Sequence, residues 1–321
     1  MLRIAAILVP LLCAGPALAQ RDSTARTVDI ERVEIAGVRP MKEIGVQRTV
    51  LDSALLRENI SSSLADALSS GSTLFIKSYG RATLATASFR GTAPSHTQVT
   101  WNGMKMNSPM LGQVDFSLIP SYFVDDASIY HGASSVGITG GGLGGAVTLG
   151  TKAPETPGFS MRDVQGIGSF TTFDEFLRLS YRAGRWSAVT RVLVSTSEND
   201  FRYRNYDSKQ FVTNDNGEIV DACYPLQRNR NGAFRDLHLL QEFYYTSRQG
   251  DRFSLAAWYL DTDRGLALLS SDRNTSREKR NSQTERTLRA VAAWERIFGG
   301  VKTGVRAGDT YDDLRYLMES D

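Results

Sequence analysis

The spacing of apolar positions changes near Pro157. From Arg48 to about Lys152, short apolar runs alternate with turn residues, as in a compact unit of short elements. "SSSLADALSSG" offers Ser63 as a helix N-cap with Asp66 three residues on, leucines at 64 and 68 one turn apart, and Gly71 where a helix closes. It predicts about two turns of helix. "DSALLREN", from Asp52, predicts a second, weaker one. "TQVTWNG", "ASIYHG" and "GAVTLGT" carry the β-branched and aromatic residues of short strands, and Asn102-Gly103 tolerates the positive φ of a tight turn.

Beyond Pro157 the period is two over long segments. "EFLRLSY" sets Leu177, Leu179 and Tyr181 against Arg178 and Ser180. "DLHLLQEFYY" sets Leu237, Leu239, Phe243 and Tyr245 against Asp236, His238 and Glu242, and "RFSLAAWYL" sets Phe253, Leu255, Ala257 and Tyr259 against Arg252, Ser254 and Ala256. Further strands are expected over 165–173, 186–197, 287–297 and 304–317, giving about seven, several of the length that a tilted membrane strand requires. Alternation alone describes a half-exposed strand of a soluble sandwich equally well.

Two features favour the membrane. Arg3, the apolar run Ile4 to Leu12 and the small-x-small Ala17-Leu18-Ala19 form a secretory signal peptide over residues 1–19, too short to stay as a spanning helix; the alternative is a buried N-terminal helix. The connections also alternate, with tight "RAGRW" and "TSRQGDRF" against long polar stretches at 199–232 and 272–286, the habit of outer-membrane barrels.

Composition narrows the chemistry. Without the signal, Cys223 is the one cysteine, so no intrachain disulfide is expected. Removing Arg3 lowers the formal charge from +2 to +1, far from the basic balance of a nucleic-acid binder. His96, His131 and His238 lack zinc-motif spacing, and neither a nucleophile elbow nor a P-loop lysine is present, so neither an enzyme nor a resident metal or cofactor is expected. Gly140, Gly142 and Gly145 spell G-x-G-x-x-G, but "AVTLGTK" follows as a strand where a dinucleotide fingerprint needs a helix. Positive φ and close approach of backbone explain these glycines better.

Four passages, "LADALSSGSTLFIKSYG", "ATASFRGTAPSHTQVTWNGMKMNSP", "VDDASIYHGASS" and "GGLGGAVTLGTK", resemble in order and spacing the plug of TonB-dependent outer-membrane receptors. His131-Gly132-Ala133 and Val136-Gly137 depart from the family's usual pattern. The blocks look most like the cobalamin-receptor side of the family. The resemblance implies an α+β plug domain over 48–156, followed over 157–321 by antiparallel transmembrane β-strands, an incomplete portion of a β-barrel of about 22 strands. Arg90, Gly91, Asn102, Gly103, Gly132, Gly144 and Gly145 then belong to the plug's structural motif, and the close approach of the 140–145 glycines is expected to be to the barrel wall. A periplasmic segment, 20–47, would hold the TonB box: Val28, Asp29, Ile30, Glu31, Arg32, Val33, Glu34 and Ile35 alternate as a strand able to add to a partner's sheet edge, or form an ordinary first plug strand. Ligand contacts are expected at Tyr79, Arg81, Asn107 and Gln113, with the alternative that these line the wall. Implied partners are TonB with its proton-driven complex, outer-membrane lipid and an extracellular small molecule. The reading is energised uptake of a scarce ligand, siderophore, cobalamin or similar, by a truncated chain. The alternative is a periplasmic or surface plug-type binding module without transport.

Overall fold

A computed structural model describes residues 46–58, 60–136, 142–267 and 280–319. The predicted signal peptide, the Val28–Ile35 segment and Gly140 lie outside the described residues.

The first unit is built from short elements. Strand β1 (Arg48–Val50) is followed by helix α1 (Leu64–Gly71), strands β2 (Phe75–Ser78) and β3 (Ala85–Ser88), and then β4 (Thr97–Trp101), β5 (Met104–Lys105), β6 (Asp126–His131) and β7 (Gly145–Gly150). Five of these form a sheet in the order β1-β6-β7-β4-β5, with β4 and β7 parallel and the other pairs antiparallel. The pair β2–β3 is a separate hairpin. Helix α1 starts as expected, with the Ser63 N–H donating to Asp66 Oδ2 at 2.8 Å, and it buries Leu64, Ala65, Ala67 and Leu68. The second expected helix is a single 3-10 turn, Leu55–Arg57. Asp52 Oδ1 accepts from the Ala54 N–H at 2.8 Å, a local bond that competes with helix in a segment too short to nucleate one. Asn102 (φ 47°) and Gly103 (φ 78°) are both left-handed, as a two-residue turn from β4 to β5 demands.

The second unit is one antiparallel meander of seven long strands: β8 (Gly158–Gly168), β9 (Thr172–Ala183), β10 (Trp186–Ser197), β15 (Phe234–Thr246), β16 (Arg252–Gly265), β17 (Ser282–Phe298) and β18 (Val301–Leu317). Each is 11 to 17 residues long, ample for a tilted span. The expected strand at 165–173 is corrected, because Phe170 (φ 60°) and Thr171 (φ 55°) reverse the chain there and divide the stretch between β8 and β9. The polar 199–232 connection is also more ordered than expected: β11 (Arg202–Arg204) pairs with β14 (Leu226–Arg228), and β12 (Gln210–Thr213) with β13 (Ile219–Cys223), as two nested ladders of a β-arm. Of 272–286, Ser282–Arg286 already belong to β17.

Burial in this wall is inside out. Leu237, Leu239, Phe243, Phe253 and Leu255 are exposed, whereas Asp236, His238, Glu242, Thr262 and Arg264 on the opposite face are buried against the first unit. At the end carrying the short turns, Phe159, Tyr181, Trp186, Tyr245 and Phe253 make an outward aromatic row across β8, β9, β10, β15 and β16, with Trp186 and Tyr245 ring centroids 4.4 Å apart. An apolar band with an aromatic border is what a lipid-facing barrel surface presents. Among the described residues no helix is long and apolar enough to cross a membrane.

Candidate functional site

The first unit is gripped by the wall's polar face through aromatic contacts and three arginine-centred clusters. Trp101 meets Trp258 edge-on at 5.5 Å, and Phe123 lies against Phe176, His238 and Trp258. Both surfaces contribute residues to one buried cluster, so the interface is packed around these aromatics.

Arg191, at mid-length on β10, is almost fully buried. Its guanidinium pairs with Asp125 of the first unit and with Glu242 of β15 (Nε to Oε2 3.2 Å), and Nη1 donates to the Tyr122 carbonyl at 3.3 Å. Asp125 also accepts from the Lys152 N–H at 3.0 Å, while Tyr244 donates to Glu242 at 2.6 Å. Burial pushes the Asp125 carboxyl up, but the Arg191 guanidinium and its hydrogen bonds outweigh that and hold it below the ordinary value.

The second cluster lies toward the end with the long connections. Arg81 pairs with Asp174 of β9 at 2.5 Å and donates to Ser195 Oγ at 3.1 Å, while Ser61 and Ser195 hydroxyls each donate to the same carboxylate. In the third, Arg264 of β16 reaches Asp115 at 3.4 Å and Ser117 Oγ at 3.0 Å, and Asp115 Oδ1 in turn accepts the Ala85 and Ser117 N–H groups. A cavity of about 320 Å³, lined by residues that include Ser61, Asp66, Arg81, Asp174, Phe234 and His238, opens between the two surfaces beside Arg81. Its volume is at the small end for a ligand site.

The residues expected to contact ligand separate here. Tyr79 is exposed at the tip of the β2–β3 hairpin, with Lys77 Nζ 5.1 Å from its ring centroid. Arg81, on the same tip, reaches the wall as described. Gln113 is half-buried. Asn107 is a correction: it is buried, its Oδ1 accepts from Val99, and its Nδ2 donates to the carbonyls of Thr97 and Gly112, all at 2.9 Å. A carboxamide spent on three backbone bonds braces its loop and is not offered to a ligand. Asp125, Asp174 and Arg191 were not foreseen as site residues. The one signal for Asp174 and Arg191 was polar identity on the wettable side of a long alternating strand.

The motif residues serve backbone geometry. Arg90 (φ 44°) and Gly91 (φ 80°) turn the chain after β3, and Gly132 (φ 54°) ends β6. Asn102 braces the β4–β5 turn to the end of β7 through Thr151, by two 2.9 Å bonds. A Cβ on Gly145 would stand 2.5 Å from the Tyr130 carbonyl and 2.7 Å from the Phe89 ring, and one on Gly144 2.6 Å from Thr92 Oγ1. These glycines therefore admit close approach within the first unit, which corrects the expectation that they face the wall. Gly103 is the one beside a wall residue, Arg306. Burial, together with the Arg90 charge, holds His131 below its usual value. Among the described residues no three His, Cys, Asp or Glu side chains group as a metal site.

A small α+β unit clasped by the polar face of an outwardly apolar β-wall defines a plugged barrel of the outer-membrane type. Residues 40–146 match the family model for the TonB-dependent Receptor Plug Domain. Residues 40–146 are thus a TonB-dependent receptor plug domain, and the strands that follow share the fold of part of a receptor barrel. Solved structures share the fold at low identity. They include the siderophore receptor PiuA from Acinetobacter baumannii (13% identity, TM-score 0.57, 84% of this chain and 37% of that one). The Serratia marcescens hemophore receptor HasR matches at 13% identity and TM-score 0.53, over 84% and 38%. The FrpB iron transporter from Neisseria meningitidis matches at 15% and 0.53, over 84% and 45%. The chain thus spans less than half the length of these relatives. No curated protein matches it in sequence.

Proposed function

We propose that the chain supplies the plug and adjoining wall of an outer-membrane receptor for TonB-energised uptake of a scarce ligand. The observation that carries this is the inverted wall, which places leucine and phenylalanine outward and charged side chains on the plug. In this reading residues 1–19 direct export, 20–47 present the TonB box at Val28–Ile35, 48–156 form the plug and 157–321 the wall. Ligand meets Tyr79, Arg81 and Gln113 from outside. A ligand that prefers one state of the plug over another shifts the plug between them, which signals occupancy to TonB. The similar structures are named for siderophores, haem and iron, which supports a metal-bearing ligand class without selecting one.

The test is expression of the whole chain with its leader in a Gram-negative host. Recovery in the outer-membrane fraction with heat-modifiable migration is expected, and deletion of 28–35 should leave that behaviour intact while abolishing cross-linking to the periplasmic domain of TonB. A product that stays soluble and monomeric would instead make this a binding module without transport.

A further inference from the structure

Three arginines stand abreast on the plug-facing side of the wall. In the register of the sheet Arg162 of β8 is opposite Arg178 of β9, and Arg178 is opposite Arg191 of β10. Strands lie about 4.8 Å apart, so the row runs for roughly 10 Å. Like charges directly opposite one another destabilise a sheet, and such a row requires anions to offset it. Only Arg191 pairs directly with any, Asp125 and Glu242. Arg162 is turned toward the plug, its guanidinium carbon 5.4 Å from the Tyr122 ring centroid. Across the seam, Arg57 of the plug lies 3.7 Å from Asp125. Among the described residues neither Arg162 nor Arg178 has an ion-pair partner, and the buried Nε of Arg178 has no acceptor. The next carboxylate along β9, Asp174, is engaged by Arg81, Ser61 and Ser195. Asp125 and Glu242 are thus paired with Arg191 and Arg57, and neither is paired with Arg162 or Arg178.

We propose that the row Arg162–Arg178, flanked by Arg57 and Arg191, is an anion site at the seam between plug and wall, and that it takes a small molecule bearing two or more carboxylates. A guanidinium fork matches a carboxylate in a two-point bond, and neighbouring forks about 5 Å apart match acid groups separated by a few bonds. A single carboxylate satisfies one fork and leaves the next unpaired. The site rests on the plug-in-wall arrangement but not on transport, so it is testable on folded protein alone.

The full chain, folded in detergent and titrated calorimetrically at low salt with tricarballylate, is expected to bind it, with acetate at equal ionic strength a poor competitor. Arg178→Gln and Arg162→Gln should each weaken binding at least tenfold, and Arg235→Gln, on the outward face, should not change it. Arg162 is exposed, so its variant keeps its fold even where Arg178→Gln does not. Absence of binding to the unaltered chain, or equal affinity in Arg162→Gln and Arg235→Gln, would overturn the proposal. Failure of membrane insertion or TonB cross-linking would bear on the transport reading and leave this result standing.

Discussion

In the plug, Leu64, Leu68, Val99, Ile129 and Val147 are buried; in the wall, Leu239, Phe243 and Leu255 are exposed while Arg191, Glu242, Thr262 and Arg264 are buried. The plug's arrangement follows from transfer of apolar area out of water. The wall's does not, since a continuous apolar face of that extent is unfavourable in water. It becomes favourable only when the outer solvent is hydrocarbon and the inner one is the plug. Stability of the wall therefore depends on two different surroundings, whereas the plug has one apolar core, completed on one side by wall residues such as Phe176 and Trp258.

Removing the charge that joins the two regions should have the largest effect. Arg191→Met leaves Asp125 and Glu242 facing each other in a dry seam, and a broken buried pair costs about 3–5 kcal/mol. Adding Asp125→Asn and Glu242→Gln to it should restore much of that loss, because the cost lies in the orphaned charges and not in the absent guanidinium. Denaturant unfolding of the detergent-folded chain, followed by plug tryptophan fluorescence, measures both. Equal stability of Arg191→Met and the unaltered chain would mean that aromatic packing around Phe123 alone holds the plug.

The second test concerns solvent. Leu239 sits midway along β15 on the outward face, where an arginine in a bilayer costs about 2–4 kcal/mol. Val50, exposed on the plug, should accept the same change within about 0.5 kcal/mol. Folding yields of Leu239→Arg and Val50→Arg in phospholipid vesicles are the measurement. If the two variants fold equally well, the outward face of β15 does not meet lipid.

These contrasts were partly legible beforehand. The Ser63–Asp66 helix start, the Asn102-Gly103 turn and the in-out alternation of β15 are local or period-two signals, and each element formed where it was expected. What remained hidden is non-local. Asn107 reads as a loop-tip polar residue until the backbone of Thr97 and Val99 is seen against it. Asp125 reads as half of an acidic pair until Arg191 arrives from 66 positions away. The reversal after Gly168 falls on Phe170 and Thr171, non-glycine residues of a type seldom found at positive φ, so the turn positions themselves do not announce it. Sheet register, and with it the abreast arginines, cannot be read from any single strand.

The smallest expected effect separates two places in the plug by pH. His131 accepts or donates with the Thr49 hydroxyl at 3.0 Å and lies near Arg90, and its folded value is held below the ordinary 6.5. A base so depressed favours folding fully above its unfolded value, and that contribution is lost as pH falls below about 6.5. Asp125 is an acid held below its ordinary 3.8, so its contribution persists down to that value and is lost only beneath it. Between pH 7 and 5.5 the β1–β6 edge around His131 should therefore loosen modestly while the Arg191–Asp125 contact stays closed. Amide exchange, corrected for the intrinsic effect of pH, should show lost protection at Thr49 and His131 but not at Lys152, whose N–H bonds Asp125. His131→Gln should remove the difference between the two pH values. Matching changes at Lys152 would mean that the plug opens as one unit and that the His131 edge and the seam are not independent.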